Sequence, residues 1–186
     1  MAKLVYSMLT SLDGYVEDAQ GNFDWAAPDD EVHTFINELI RPAGTHLYGR
    51  RMYEVMRFWE TAPTDGDEPE AFTDFARLWR AADKIVCSTQ LVEASSLRTR
   101  IEPNFDPAAI ALLKATSERD ISISGPTIAS LALAAGLVDE CHFFVVPTII
   151  GGGKPALPSG FGTKLELLNE RSFSSGTVHL HYRITT

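Results

Sequence analysis

Apolar positions along this chain switch repeatedly between the period of two that suits a strand and the period of about 3.6 that suits a helix. Leu4 to Leu9 is a short apolar run of strand length. Val32, Phe35, Ile36 and Leu39 recur at helical spacing and predict a helix from Asp29 to Ile40. A second strand is expected at Thr45 to Tyr48, then a helix from Arg50 to Arg57 begun just after Gly49. Thr61 to Glu70, rich in Asp, Pro, Gly and Thr, reads as an exposed loop. Helix Ala71 to Ala82 leads into strand Lys84 to Ser88, and Pro103 and Pro107 bracket a turn ahead of helix Ala108 to Ala115. Ile121 and Ile123 then alternate with Ser122 and Ser124. Gly125-Pro126-Thr127 opens a helix with Ile128, Leu131, Ala132 and Ala135 on its apolar face and Gly136 as its stop. A further apolar strand runs up to Pro147 and Gly151-Gly152-Gly153, and Leu165 to Phe173 with Thr177 to Ile184 predicts a terminal hairpin across Ser174-Ser175-Gly176.

Strands alternating with helices imply an α/β fold with a mostly parallel sheet, helices on both faces and right-handed crossovers. The antiparallel tail makes the sheet mixed. Ligands of open α/β sheets bind outside the carboxyl ends of the strands. Ser11 to Tyr15, Gly49 to Met52, Ser88-Thr89 and Ser124 to Thr127 are therefore expected to converge.

The 186 residues, 45% of them apolar, fit one domain spanning residues 1–186. A chain of this size buries roughly 70% of its unfolded surface. A charged-then-apolar leader and an apolar run near the roughly 20 residues of a membrane span are both lacking, so a soluble, cytoplasmic protein is expected. Cys87 and Cys141 lie in strand-like runs and read as buried thiols rather than a disulfide. A net charge of −9 argues against a nucleic-acid surface, so an anionic ligand needs local cations. Arg50, Arg51, Lys84, Arg98 and Arg100 are the candidates. His179 and His181 share a face of the last strand and read as a cross-strand surface pair; two ligands are too few for a metal, and none is expected.

The helix start after Gly125 offers free N–H groups and the positive end of a macrodipole, which suits a phosphate. Gly49 allows the same close approach ahead of Arg50 and Arg51, whose guanidinium groups can pair with phosphate oxygens. A solvated helix start is the plainer reading of that second segment. Ser88 and Thr89 end a strand and suit either a phosphate or an ordinary turn. Asp29 and Asp30 sit in the first turn of a helix, where capping alone favours acids.

Taken in order, Ser11-Leu12-Asp13-Gly14-Tyr15, Gly49-Arg50-Arg51-Met52-Tyr53-Glu54 and the unit from Ile121 to Lys154 resemble the dihydrofolate reductase-like superfamily. Gly136-Leu137-Val138-Asp139-Glu140, followed by Pro147 and the three glycines, is most similar to the branch that holds the reductase domain of the bifunctional riboflavin-biosynthesis deaminase/reductase. The resemblance runs from about Lys3 to about Ile184. It implies a three-layer sandwich, a homodimer, and NADPH bound by Gly49, Arg50, Arg51, Met52, Ser88, Thr89, Ser124, Gly125, Pro126, Thr127 and Ile128. Met52 replaces the family's threonine and Ser124-Gly125-Pro126 its glycine pair, which removes one hydroxyl and one amide donor.

On the substrate side the resemblance implies Asp13, Tyr15, Trp25 and Phe35, with Asp30 as the catalytic carboxyl of a W-x-x-P-x-D stretch. As an acid, Asp30 would need a pKa well above the ordinary value of about 3.9, hence a dry cleft. The implied reaction is hydride transfer to a small polar heterocycle or a sugar-derived carbonyl or imine, as in 5-amino-6-(5-phosphoribosylamino)uracil reduction. Dihydrofolate reduction and nucleotide binding without catalysis are the alternatives. The deaminase pattern, H-x-E followed by P-C-x-x-C, is absent.

Overall fold

A computed structural model describes residues 1–185. In chain order the elements are β1 (Leu4–Ser11), β2 (Tyr15–Glu17), α1 (Asp30–Ile40), β3 (Ala43–Gly49), α2 (Arg50–Met56), α3 (Glu70–Ala81), β4 (Asp83–Cys87), β5 (Thr99–Glu102), α4 (Pro107–Thr116), β6 (Asp120–Ser124), α5 (Pro126–Ala134), β7 (Glu140–Val146), β8 (Lys154–Pro155), β9 (Lys164–Ser172) and β10 (Val178–Thr185). Eight strands form one sheet in the order β5-β4-β3-β6-β1-β7-β10-β9, and β2 pairs with β8 in a separate ribbon. Every pairing from β5 to β7 is parallel, while β10 runs antiparallel to both β7 and β9.

Alternation along the strands decides which helices cover which face. Leu4 and Tyr6 of β1, Leu47 of β3, Ile121 and Ile123 of β6, and Cys141 and Phe143 of β7 pack with Ile110 of α4 and Ile128, Ala129, Ala132 and Leu133 of α5. Full burial of each leucine, isoleucine or phenylalanine among these contributes roughly 1.5–3 kcal/mol. On the opposite face Phe144 lies under Val32, Phe35, Ile36 and Leu39 of α1. There, too, the indole Nε1 of Trp79 on α3 donates to the Tyr48 hydroxyl at 3.2 Å. The result is the expected three-layer sandwich.

Capping residues set several helix limits. The Asp29 side chain accepts from the Val32 N–H and opens α1, and Asp106 does the same for Ala108 in α4. At the end of α5, Gly136 takes φ 65°. Its N–H donates to Leu133 O and the Leu137 N–H to Ala132 O, the paired bonds of a Schellman stop. Asp139 then accepts from the Leu4 N–H at 2.7 Å and pairs with Lys114 at 2.7 Å, tying the chain after α5 to the start of β1.

Four expectations need correction. The helix from Gly49 ends at Met56, because Arg57–Glu60 tightens into a 3-10 turn. Strand β5 was unforeseen: four residues are too few to carry a period, and it follows Arg98 at φ 55°. Lys84 is no ligand cation. It is fully buried, its ammonium donates to the last carbonyls of α3 at Trp79 and Ala82, and burial lowers its pKa. His179 and His181 are not a surface pair either: His179 is 1% exposed beneath α1, with the Phe35 ring 4.9 Å away. Both cysteines are free, Cys141 buried and Cys87 partly so.

Candidate functional site

Because β4, β3, β6 and β1 are consecutive and parallel in the sheet, their carboxyl ends line one edge. Gly49 pairs with Cys87 and Tyr48 with Ser124, so the turns after β3, β4 and β6 start side by side. Helices α2 and α5 both begin here. A Cβ placed on Gly125 would lie 3.1 Å from Cβ of Met52, and one on Gly49 would lie 3.9 Å from Cβ of Ile128. The first turns of the two helices are therefore in contact, which brings Gly49, Arg50, Arg51, Met52, Ser124, Gly125, Pro126, Thr127 and Ile128 together.

No side chain caps either start. Helix α1 and helix α4, which begin elsewhere, each have an aspartate cap. Uncapped starts alone do not mark a site, since α3 also begins without one. What distinguishes α2 and α5 is two such ends at contact distance, with first-turn N–H groups aimed out of the sheet edge. The Gly125 amide is already engaged, donating to Sδ of Met8 at 3.4 Å. The residue's φ of 98° lies in the region closed to most side chains. Glycine there also lets the Met52 side chain pack against the start of α5.

The charged residues are partly committed. Arg50 pairs with Glu54 at 2.7 Å along its own helix, and both are more than one-third exposed. Arg51 reaches Glu17 of β2 at 3.2 Å while remaining 68% exposed. Pairs with a solvent-exposed arginine are weak, of the order of 0–1 kcal/mol, so neither arginine is tightly held. The Ser88 hydroxyl accepts from the N–H groups of Gln90 and Leu91, so it shapes a turn, and its own proton is left to donate. Thr89 beside it is exposed.

Asp13 anchors the glycine loop: its carboxylate accepts from Gly151 N–H at 2.8 Å and Ile150 N–H at 3.3 Å. Hydrogen bonding from Ser11, then from those amides, holds its pKa below the ordinary value. Tyr15 begins β2, its N–H donating to the Ser11 hydroxyl, and sits opposite Pro155. Trp25 lies in a 3-10 turn, half-buried, with its indole donating to Asn22 O. Phe35 points elsewhere, into the cluster of Phe144, Phe173 and His179 on the covered face. Asp30 is exposed in the first turn of α1, so the chain by itself gives it no dry environment.

Glu17 and Gly153 were invisible as partners in the sequence. Gly153 brings its backbone against β2 so closely that a Cβ there would sit 2.0 Å from Glu17 O. The run of three glycines was the only signal, and it did not name what the loop approached.

A profile of the RibD C-terminal domain matches residues 2–179. YyaP, an uncharacterized protein of Bacillus subtilis strain 168, is 27% identical over 184 residues, covering 97% of this chain and 94% of its own. Among solved structures, a Shewanella sp. PV-4 protein with a proposed role in riboflavin biosynthesis superposes with a TM-score of 0.77 at 21% identity, over 100% of both chains. Dihydrofolate reductase from Enterococcus faecalis, complexed with NADP(H), gives a TM-score of 0.66 at 14% identity over 99% of this chain and 97% of that one. With the profile spanning nearly the whole sheet, including both helix starts at the carboxyl edge, the chain belongs to the RibD C-terminal domain family.

Proposed function

We propose that this chain is an NADPH-dependent reductase acting on a small polar heterocycle or a sugar-derived carbonyl or imine, in the manner of 5-amino-6-(5-phosphoribosylamino)uracil reduction. The observation that carries the reading is the contact between two uncapped helix starts at the carboxyl edge, beside exposed Arg51. The helix start after Gly125 suits a pyrophosphate through the first-turn amides of Thr127 and Ile128, although Pro126 supplies no N–H there. Ser88 and Thr89 place hydroxyls, not a carboxylate, after β4, which favours a 2′-phosphate over a bare ribose.

When bound, the nicotinamide supplies the hydride. The chain's own work is to hold and orient. Arg51 releases Glu17 and pairs with phosphate, the amides of α5 fix the other phosphate oxygens, and the loop held by Asp13 walls the substrate side. Asp30, exposed in the first turn of α1, serves as a hydrogen-bond anchor for a polar ring, with the proton drawn from water. The proposed protein acts as a homodimer without nucleic-acid or membrane partners. No helix among the described residues is long and apolar enough to cross a membrane.

Titration with NADPH and NADH, read by tryptophan fluorescence, tests the assignment. Selective NADPH binding is expected, weakened about tenfold by Arg51→Ala, the worth of one charge-assisted hydrogen bond. Ser88→Ala is expected to narrow the preference for NADPH over NADH. Binding of neither nucleotide would remove the reductase reading. NADPH binding without oxidation across a panel of pyrimidines, pterins and sugar derivatives would leave a nucleotide-binding protein.

A further inference from the structure

A cluster at the other end of the sheet has no part in that reading. Glu140 and His142 are two residues apart on β7 and so share a face, and His181 of β10 lies directly opposite His142 in the antiparallel pairing. Their ligand atoms all lie within 4.8 Å of one another. Oε2 of Glu140 and Nε2 of His181 are 3.0 Å apart, and the rings of His142 and His181 stack at 4.0 Å. Ser11 at the carboxyl edge pairs with Val146, four residues beyond His142, which puts the cluster about 13 Å from that edge.

We propose that Glu140, His142 and His181 bind one divalent transition ion of the zinc class, tying β7 to β10. Bonds of about 2.0–2.2 Å to nitrogen and carboxylate oxygen separate tetrahedral ligand atoms by roughly 3.3 Å. Glu140 and His181 already meet that spacing, and the third atom needs a side-chain rotation of no more than an ångström or two. Two imidazoles and one carboxylate select zinc, cobalt or nickel over magnesium or calcium, which prefer all-oxygen sets.

The surroundings fit a ligand cluster. Nδ1 of His142 is hydrogen-bonded to Nε2 of His179 at 2.9 Å, which fixes the ring and leaves Nε2 for an ion. His179 is buried between Phe35 and Phe144 and is held in place by them. A register shift between His181 and Tyr182 on the β9 side bends β10 where His181 is presented. Glu140 also lines an open cavity of about 430 Å³ with Lys3, Asp139 and Arg183, so one of the three ligands borders solvent-accessible space. Lys3 opposes binding, since its ammonium takes Oε1 of Glu140 at 2.8 Å.

The test is titration of the chelator-treated chain with Zn²⁺ by calorimetry and with Co²⁺ by visible absorption. One ion per chain is expected, with the absorption of low-coordinate Co²⁺ and a rise in melting temperature on adding Zn²⁺. His181→Ala and Glu140→Gln should each weaken binding by ~10-fold or more. His181 is only part-buried, so its truncation is expected to leave the circular dichroism unchanged. Lys3→Ala should tighten binding severalfold by freeing the carboxylate. NADPH affinity should not respond to any of these variants, which separates this site from the proposed cofactor site. Absence of saturable binding, or one-to-one binding that survives His181→Ala or ignores Lys3→Ala, would overturn the proposal.

Discussion

Gly153→Ala is expected to cost about 3 kcal/mol or more of stability, a large share of what a domain of this size possesses. The added Cβ would lie 2.0 Å from Glu17 O and 2.8 Å from both C and Cα of Asp18. All three are backbone atoms, so no side-chain rotation relieves the clash. Residue 153 also has φ 139°, a conformation open only to glycine at low cost. The loop must swing away from β2, and the β2–β8 ribbon, where Glu17 pairs with Lys154, is lost with it. Gly151→Ala is the control. It has φ 77° but nothing within 4 Å, so only the left-handed backbone penalty of about 1–2 kcal/mol applies. Urea denaturation of the two variants separates the effects; equal losses would mean that contact with β2 contributes nothing.

Acid should unfold the protein earlier than its carboxylates alone would allow. Burial pushes His46 down to about 4, aided by the positive charges of Lys84 and Arg119. Burial also takes His179 down to about 4 and His142 to about 3, with neighbouring imidazoles adding to it. In each case folding favours the neutral ring. Above about pH 6.5 the unfolded chain is neutral at these positions as well, and stability does not depend on them. Below that, the unfolded chain takes up protons that the native state refuses, so stability falls as pH falls and levels off only once the folded groups titrate. For His46 the full loss is on the order of 3 kcal/mol. Between pH 6.5 and 4.5 most carboxylates remain ionised, so this window reports the imidazoles. His46→Gln, which keeps a polar group beside Ser122, is expected to flatten the slope of stability against pH there. An unchanged slope would show that folding does not lower the His46 pKa.

Regions with a long period were legible in the sequence, and regions defined by contact were not. Val32 to Leu39 and Ile121 to Ala135 announce their helix and strand because burial on one face demands that spacing, and the structure places them as expected. The convergence of Gly49 and Gly125 followed from topology alone, since parallel neighbours must end at one edge. Residue pairs that meet only through that topology left no local trace. Arg51 and Glu17 are 34 positions apart, and His142 and His181 become opposite partners only when β10 pairs with β7. Lys84 misleads for a physical reason: its charged head is satisfied by the carbonyls that end α3, so a residue expected at the surface is among the most buried. Phe35 shows the converse, a helix position expected at the substrate whose ring instead fills the space beside Phe144 and Phe173.

The place of β1 in the sheet also bears on how the protein is born. It leaves the ribosome long before its neighbours β6 and β7, with Leu4 opposite Ile121 and Val5 opposite Glu140. An apolar strand must therefore wait, unpaired, while all the residues between Ser11 and Asp120 are made. At roughly 5–20 residues per second that delay lasts on the order of ten seconds. Contacts so distant in sequence also slow the search for the native state. Chaperone dependence in the cell, and aggregation of nascent chains released before β6 emerges, follow from the strand order itself.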